Sequence, residues 1–284
     1  MEKIDGCVKT DEVKYADFKN HDGEEVVISG YVHRIREMTG FAFVIIRTTE
    51  DLVQCVYAPE FSDYRLDEKL CEEACVKVTG KVVSSKDAKG NDRYELQIHD
   101  VKILSLPAEG LPIVINKKTL DGVLLNTILD YRPVSLRNPY QRAIFKLQEG
   151  IARGFREYLM KNDFTEIRSP KINYAGAEGG TNVFKLDYFG KQVYLAQSPQ
   201  LYKQALVGVY GRVFEIGPVF RAEHHDTSRH LNEYTSMDFE MGFINGFEDV
   251  MNMETGALKY IMNLLKTEYA KEVEILHAEI PEIT

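Results

Sequence analysis

Four cysteines in 284 residues, with no CxxC pair among Cys7, Cys55, Cys71 and Cys75, argue against a structural zinc site and fit a reduced, cytoplasmic protein. Cys71 and Cys75, four apart in a stretch that reads as helix, are expected to be plain buried or half-buried thiols. No apolar run is long enough to span a membrane. The opening MEKIDGCVKTDEVKY is too acidic and polar for a secretory or mitochondrial targeting segment. Positive charge is also short: 35 Lys and Arg against 44 Asp and Glu give a formal net charge of −9. That balance disfavours indiscriminate nucleic-acid binding but leaves room for a local basic groove. There is no GxxxxGK[ST], no strand–GxGxxG–helix and no HExxH, so a P-loop, a Rossmann site and a zinc-protease site are disfavoured. The EGGT at 178–181 has glycines but no following helix to complete a phosphate cradle. No internal repeat or low-complexity run occurs.

What is present is an ordinary globular composition, 44% hydrophobic and 28% charged, arranged in three parts. Residues 24–57 read as three strands with turns at Gly30 and around Thr39–Gly40. A polar helical stretch, DYRLDEKLCEEACVKV, leads to further strands near 75–83 and 94–105. Five strands with one helix in residues 1–105 match a small Greek-key barrel of the OB type, although pattern alone leaves other small β-barrels open. Residues 106–140, with four prolines, read as a hinge with short helical pieces. From 141 to 284 the pattern is antiparallel α+β. An amphipathic helix carries Ile144, Leu147, Ile151, Phe155 and Leu159 on one face, and the strand TEIRSPKI follows it. Then come a hairpin (VFKLDYF, KQVYLAQSP), a helix (SPQLYKQALVGVY), a strand–loop–strand and one long C-terminal helix.

The strand–loop–strand, FRAEHHDTSRHLNEYTSMDFEMGF, crowds two Arg, three His and five carboxylates into residues 220–243. Residues two apart share a face of a strand, so Arg221 and Glu223 are expected to point one way, and Asp238 and Glu240 likewise on the returning strand. Arg suits a phosphate that gains charge during reaction, because its planar fork donates two hydrogen bonds and keeps its proton. His225, Arg229 and His230 could reach further phosphates. A salt-bridged surface hairpin remains the alternative.

This stretch closely resembles motif 2 of the class II aminoacyl-tRNA synthetases, in their Asp/Asn/Lys subgroup. FREYLMKNDFTEIRSPKI resembles motif 1, the family's dimer element, ending at Pro170. EGGTNVFKLDYFGKQVYLAQSPQLYKQ resembles the amino-acid pocket of the subgroup's aspartyl branch, of archaeal and eukaryotic type. GYVHRIREMTGFAFVIIRTTEDLVQ resembles its OB-fold anticodon-binding domain. The resemblance implies an all-β OB barrel followed by a class II catalytic domain, and ATP-dependent joining of L-aspartate to tRNA-Asp, with tRNA-Asn as a further acceptor. It implies a cytoplasmic homodimer using ATP and Mg²⁺. It places Lys203 on the substrate's side-chain carboxylate, with Glu178, Ser198, Gln200 and Asp238 around its α-amino group. For ATP it assigns Arg221 to the α-phosphate, Glu223 to the adenine amino group and Arg229 and His230 to the terminal phosphates. Tyr234 stands where relatives stack Phe on adenine. Arg36, Phe43 and Gln54 fall where relatives read an anticodon base, by the stacking that RNA loops invite. Phe41 competes for the stacking role, and a barrel-core Phe43 is the plainer alternative.

The sequence departs from the family in having no motif 3, no GxGLGxxRxxER-like block. That element carries a second ATP-binding Arg, and the segment before it carries the Mg²⁺ carboxylates, so no metal ligand is expected within these residues. The expectation is a fragment of a longer synthetase, C-terminally incomplete and inactive alone. A non-catalytic tRNA-binding paralogue and an asparagine-specific relative are the alternatives.

Overall fold

The computed structural model describes residues 11–66, 69–86, 90, 92–174, 182–224, 227 and 230–283. The chain divides between Lys117 and Lys118 into two compact units, a cut that falls inside the stretch read as a hinge.

The first unit is a closed five-stranded barrel in the order β1-β2-β3-β5-β4. Its strands are β1 (Glu25–Met38), β2 (Phe41–Arg47), β3 (Leu52–Tyr57), β4 (Cys75–Lys86) and β5 (Asp92–Ser105). Alternate residues point inward, as a half-buried strand requires. Val26, Ile28, Val32, Val44, Ile46, Val53, Cys55, Val76, Val78, Val82, Leu96 and Ile98 are buried together, joined by Phe18. Each large apolar side chain so buried contributes about 1.5–3 kcal/mol.

Two expectations fail here. Gly30 is not a turn but lies within β1. A Cβ there would sit 2.5 Å from the Arg47 carbonyl oxygen, so the glycine serves a close strand approach. The chain does turn at Thr39–Gly40 as expected, with a Gly40 φ of +85°, and again at Thr48–Asp51, where the Thr48 hydroxyl accepts from the Asp51 N–H at 2.9 Å. The helix expected before β4 is absent among the described residues 58–66 and 69–74, which form turns. Glu73 adopts a left-handed φ of +67°, which no helix tolerates. Its N–H donates to the Val32 carbonyl at 2.7 Å, while Val32 N–H donates to Ala74 at 2.9 Å. These backbone groups pair with β1 instead of with a helix. The Glu73 carboxylate accepts both arms of Arg47, at 2.6 and 2.8 Å, in a buried bidentate pair. Cys71 and Cys75 are half-buried free thiols, and Cys75 opens β4.

The second unit begins with α1 (Leu125–Asp130) and α2 (Arg132–Ser135), then α3 (Pro139–Lys161). Asn138 caps α3 by accepting from the Tyr140 and Gln141 N–H groups, with Pro139 in the first turn. Short strands β6 (Thr165–Glu166) and β7 (Ile172–Asn173) replace the single expected strand TEIRSPKI. The remaining elements are β8 (Lys185–Tyr188), β9 (Lys191–Leu195), α4 (Gln200–Tyr210), β10 (Arg212–Phe220), β11 (Glu233–Met241), α5 (Phe247–Glu268) and α6 (Ala270–Leu276). They form sheets ordered β11-β10-β6 and β7-β9-β8. β10 and β11 are antiparallel, and β6 joins β10 in parallel.

On α3, Phe155 and Leu159 are buried with Leu147 and Ile151 against them, but Ile144 is exposed. The face against α5 is offset because Gly150 and Gly154 let it approach closely. A Cβ on Gly150 would lie 2.8 Å from Leu265 Cδ2, and one on Gly154 3.0 Å from Ile261 Cγ1. The C-terminal segment is two helices, not one. They break at Tyr269 (φ −118°), whose side chain is buried in this core and whose hydroxyl donates to Glu149 at 3.3 Å.

Candidate functional site

The β10–β11 register sorts their side chains into two faces. Phe214, Ile216, Phe239 and Met241 join the core made with α3 and α5. The opposite face carries the pairs Glu215–Asp238, Gly217–Ser236 and Val219–Tyr234. The first face is apolar because helices cover it; the second is free to hold polar groups, and it holds several.

Lys203, in the first turn of α4, is 6% exposed and meets this face. Its Nζ donates to Asp238 Oδ1 at 3.1 Å and lies 3.6 Å from Glu240 Oε2. A buried ammonium requires such partners. Ser236 Oγ donates to the other Asp238 oxygen, fixing the carboxylate. The segment leading into α4 is tied to the far end of β10, since the Ala196 carbonyl accepts from Phe220 N–H at 2.9 Å. Ser198 Oγ then accepts from Gln200 N–H at 3.3 Å. Ala196–Lys203 therefore runs along the site, anchored beside Arg221 at one end and on Asp238 at the other.

Arg221 continues the β10 ladder by one residue, its N–H donating to the Asn232 carbonyl at 3.0 Å. The alternation assigns it to the face of Glu215 and Val219. Strand alternation is expected to carry Glu223 onto that face as well, but the strand stops short of it. β10 ends at Phe220, and the Glu223 N–H folds back to the Arg221 carbonyl at 2.8 Å. The Asn232 amide, oriented to donate, holds this turn through the Arg221 and Glu223 carbonyls, 3.1 Å each. His230 Nε2 lies 3.6 Å from Glu223 Oε2, and its Nδ1 2.6 Å from Thr227 Oγ1. Tyr234 is half-buried opposite Val219. Glu178, His225 and Arg229 lie outside the described residues.

Sequence reasoning missed a second ion pair on this face. Glu215, 2% exposed, accepts from Lys171 Nζ at 2.8 Å, Ser169 Oγ at 2.6 Å and Ser169 N–H at 3.2 Å. It also missed Gln197, whose Oε1 is buried without a hydrogen-bond partner. An orphan acceptor beside Ser198 was signalled only by its place in QSPQ. Pro170 is exposed between β6 and β7. Nearby, burial raises the Glu166 carboxyl, but hydrogen bonds from Arg156 and Arg168 outweigh it and hold the group below its ordinary range.

In the barrel, Phe43 faces outward from β2, half-buried, with Arg36 as its register partner on β1 and Val56 on β3. Phe41 packs edge-on against it, ring centroids 5.3 Å apart. Gln54 lies on the same outer face opposite Ile45, and its Nε2 donates to Glu95 at 2.8 Å. The structure thus brings Arg36, Phe43 and Gln54 onto one surface, with Phe43 outside the core.

Among the described residues no three His, Cys, Asp or Glu side chains converge as a metal site requires, and no helix is long and apolar enough to cross a membrane. Residues 26–104 match the model of an OB-fold nucleic acid binding domain. An aspartate–tRNA(Asp/Asn) ligase of Deinococcus radiodurans is 45% identical over 263 residues, covering 93% of this chain and 58% of that protein. One from Thermus thermophilus is 43% identical over 265 residues, covering 93% and 60%. The asparaginyl-tRNA synthetase from Pyrococcus horikoshii complexed with asparaginyl-adenylate superposes with a TM-score of 0.80 at 30% identity, covering 90% of this chain and 58% of that one. The chain spans under two thirds of the length of these relatives. Residues 125–284, with α4, β10 and β11 among them, match the model of the tRNA synthetases class II (D, K and N), and the chain belongs to that family.

Proposed function

We propose that this chain carries the amino-acid and ATP half-site, together with the anticodon-reading barrel, of a cytoplasmic aspartate–tRNA ligase. The observation that carries the reading is Lys203, a buried cation held among Asp238 and Glu240 on the face that ends at Arg221. Lys203 takes the side-chain carboxylate of L-aspartate. Asp238 takes the α-ammonium, with Ser198, Gln200 and Glu178 around it. Arg221 donates to the α-phosphate of ATP and to the substrate carboxylate, Glu223 reads the adenine amino group, and Tyr234 stacks on the ring. His230 and Arg229 approach the terminal phosphates.

Catalysis on this reading is placement. A carboxylate oxygen of aspartate attacks the α-phosphorus in line and pyrophosphate leaves. The Arg221 fork offsets the charge that builds on the phosphoryl oxygens. A ribose hydroxyl at the end of tRNA then attacks the adenylate carbonyl and AMP departs. No side-chain nucleophile enters. Mg²⁺, when bound, would neutralise phosphate charge, and its ligands are not assigned to the described residues. tRNA-Asp, and tRNA-Asn on the naming of the relatives, would dock by splaying an anticodon base onto Phe43 beside Arg36. Gln54, with one amide hydrogen on Glu95, offers that base its second amide hydrogen or its Oε1. The motif-1 segment ending at Pro170 is assigned to a homodimer contact.

The similar P. horikoshii structure makes asparagine the second reading. A neutral amide gains little from an ammonium already paired, whereas a carboxylate gains charge complementarity. The test is amino-acid-dependent exchange of pyrophosphate into ATP. The protein is this chain joined to the part of the D. radiodurans relative that it does not cover. Exchange with aspartate, abolished by Arg221→Ala, is the expected result. Exchange with asparagine in its place would establish the second reading. Absence of exchange with tRNA binding intact would instead support a non-catalytic tRNA-binding protein.

A further inference from the structure

Glu215 and Asp238 are direct partners across β10 and β11, so their Cβ atoms are about 4.5–5.5 Å apart, where like charges repel. Glu240 adds a third carboxylate near the same point. Two ammonium groups answer them from different elements. Lys203 comes from α4 to Asp238 and Glu240, and Lys171 comes from the segment before β7 to Glu215. Lys171 sits directly over Gly217: a Cβ there would lie 3.4 Å from its Nζ and 3.1 Å from Glu215 Oε1. The glycine leaves the space that the ammonium occupies, and Ser169 braces both partners.

We propose that Lys171 is a positioning residue that reserves Lys203 for the substrate's carboxylate. By neutralising Glu215, it leaves Lys203 shared between two carboxylates instead of three. An incoming dicarboxylic amino acid can then recruit that ammonium. Without Lys171, the buried Glu215 charge draws on Lys203, the next cation on the face. The cost falls on the anionic side chain of the ligand and not on its ammonium. The inference rests on the aspartate reading given above.

The test uses the chain as it stands. Calorimetric titration with L-aspartate and with L-asparagine is made for the unmodified chain, Lys171→Met and Lys171→Met/Glu215→Gln, alongside their melting temperatures. Lys171→Met should weaken L-aspartate by about tenfold or more, the scale of unpairing one partner of a buried charge pair. L-asparagine should change far less. Adding Glu215→Gln, which removes the uncompensated charge, should restore most of the aspartate affinity and the melting temperature. A merely structural lysine would weaken both ligands alike, with no rescue by the second substitution, and that result overturns the proposal. If the unmodified chain takes up no L-aspartate, the reading of the site falls and the inference with it. If it binds aspartate and Lys171→Met binds it equally well, the inference alone falls.

Discussion

Removing the Glu73 carboxylate isolates one buried interaction whose cost the geometry defines. Arg47 and Glu73 side chains are 4% and 3% exposed, so solvent screening takes little from their pairing. The guanidinium fork meets both carboxylate oxygens, with His33 Nδ1 3.3 Å from one arm and the Tyr31 ring 5.4 Å from the guanidinium carbon. Glu73→Ala keeps a Cβ at φ +67°, so it leaves the backbone strain as it is and deletes only the carboxylate. Breaking a buried pair from one side costs about 3–5 kcal/mol. Glu73→Gly loses the same pair but relieves about 1–2 kcal/mol of left-handed strain, offset by about 0.5–1 kcal/mol of extra unfolded-state freedom. It should therefore be less damaging than Ala. Arg47→Met/Glu73→Met removes both charges and should recover much of the loss. Native-state hydrogen exchange of the β1 and β2 amides reads the barrel apart from the second unit. If Glu73→Ala lowers their protection by less than about 1 kcal/mol, or the double methionine variant is worse than the single, the pair is not what fixes the turn before β4.

Phe43→Ala should weaken binding of an anticodon stem-loop by about 1–3 kcal/mol, the worth of one stacked base, as read by fluorescence anisotropy; an unchanged affinity would move the platform to Phe41 or off the barrel. Glu157, lowered chiefly by the Arg153 hydrogen bond and then by Tyr260, and Glu149, lowered chiefly by that of Lys146, sit below their ordinary range in the folded chain. Their stabilisation is present above the unfolded carboxylate range, about pH 4.3, and is lost as pH falls through the folded values; a melting temperature that declines already between pH 7 and 6 would contradict this. Burial pushes the Cys55 thiol far up, so a thiol reagent at neutral pH should label Cys71 and Cys75 in the native chain and Cys55 only after unfolding, as peptide mass mapping would show.

The barrel was legible because its strands alternate over most of their length, with a break in β1 where Val32 and His33 are both buried at a bulge, and alternation fixes which residues face inward. Gly30 misled because a close backbone approach and a turn ask for the same residue, and the Arg47 carbonyl that decides between them lies on another strand. DEKLCEEAC reads as helix by propensity, a preference of tenths of a kcal/mol per residue. Among the described residues 69–74 that preference gives way to one buried ion pair between residues 26 apart in sequence. Similarly, no periodicity announces Tyr269, whose burial breaks the last helix. In the site, Lys203 and Asp238 came from resemblance, with Asp238 and Glu240 also sharing a predicted strand face. Lys171 and Glu215 are 44 residues apart and match no local pattern, so only coordinates could join them.

The polar face owes its placement to the apolar one behind it. Phe239 packs edge-on against Phe164, ring centroids 5.8 Å apart, and belongs with Met241 to the core under α3 and α5. A slip of one residue in β11 would turn both toward the site and carry Tyr234, Ser236, Asp238 and Glu240 into the helices. That exchange would bury three ionisable side chains without partners and expose two large apolar ones, so the hydrophobic pattern locks the register at which Asp238 faces Glu215. Lys203 and Lys171 arrive from separate segments to a charge arrangement that the core has already fixed. Aspartate recognition, on this reading, is set by strand register first and by the choice of cations second.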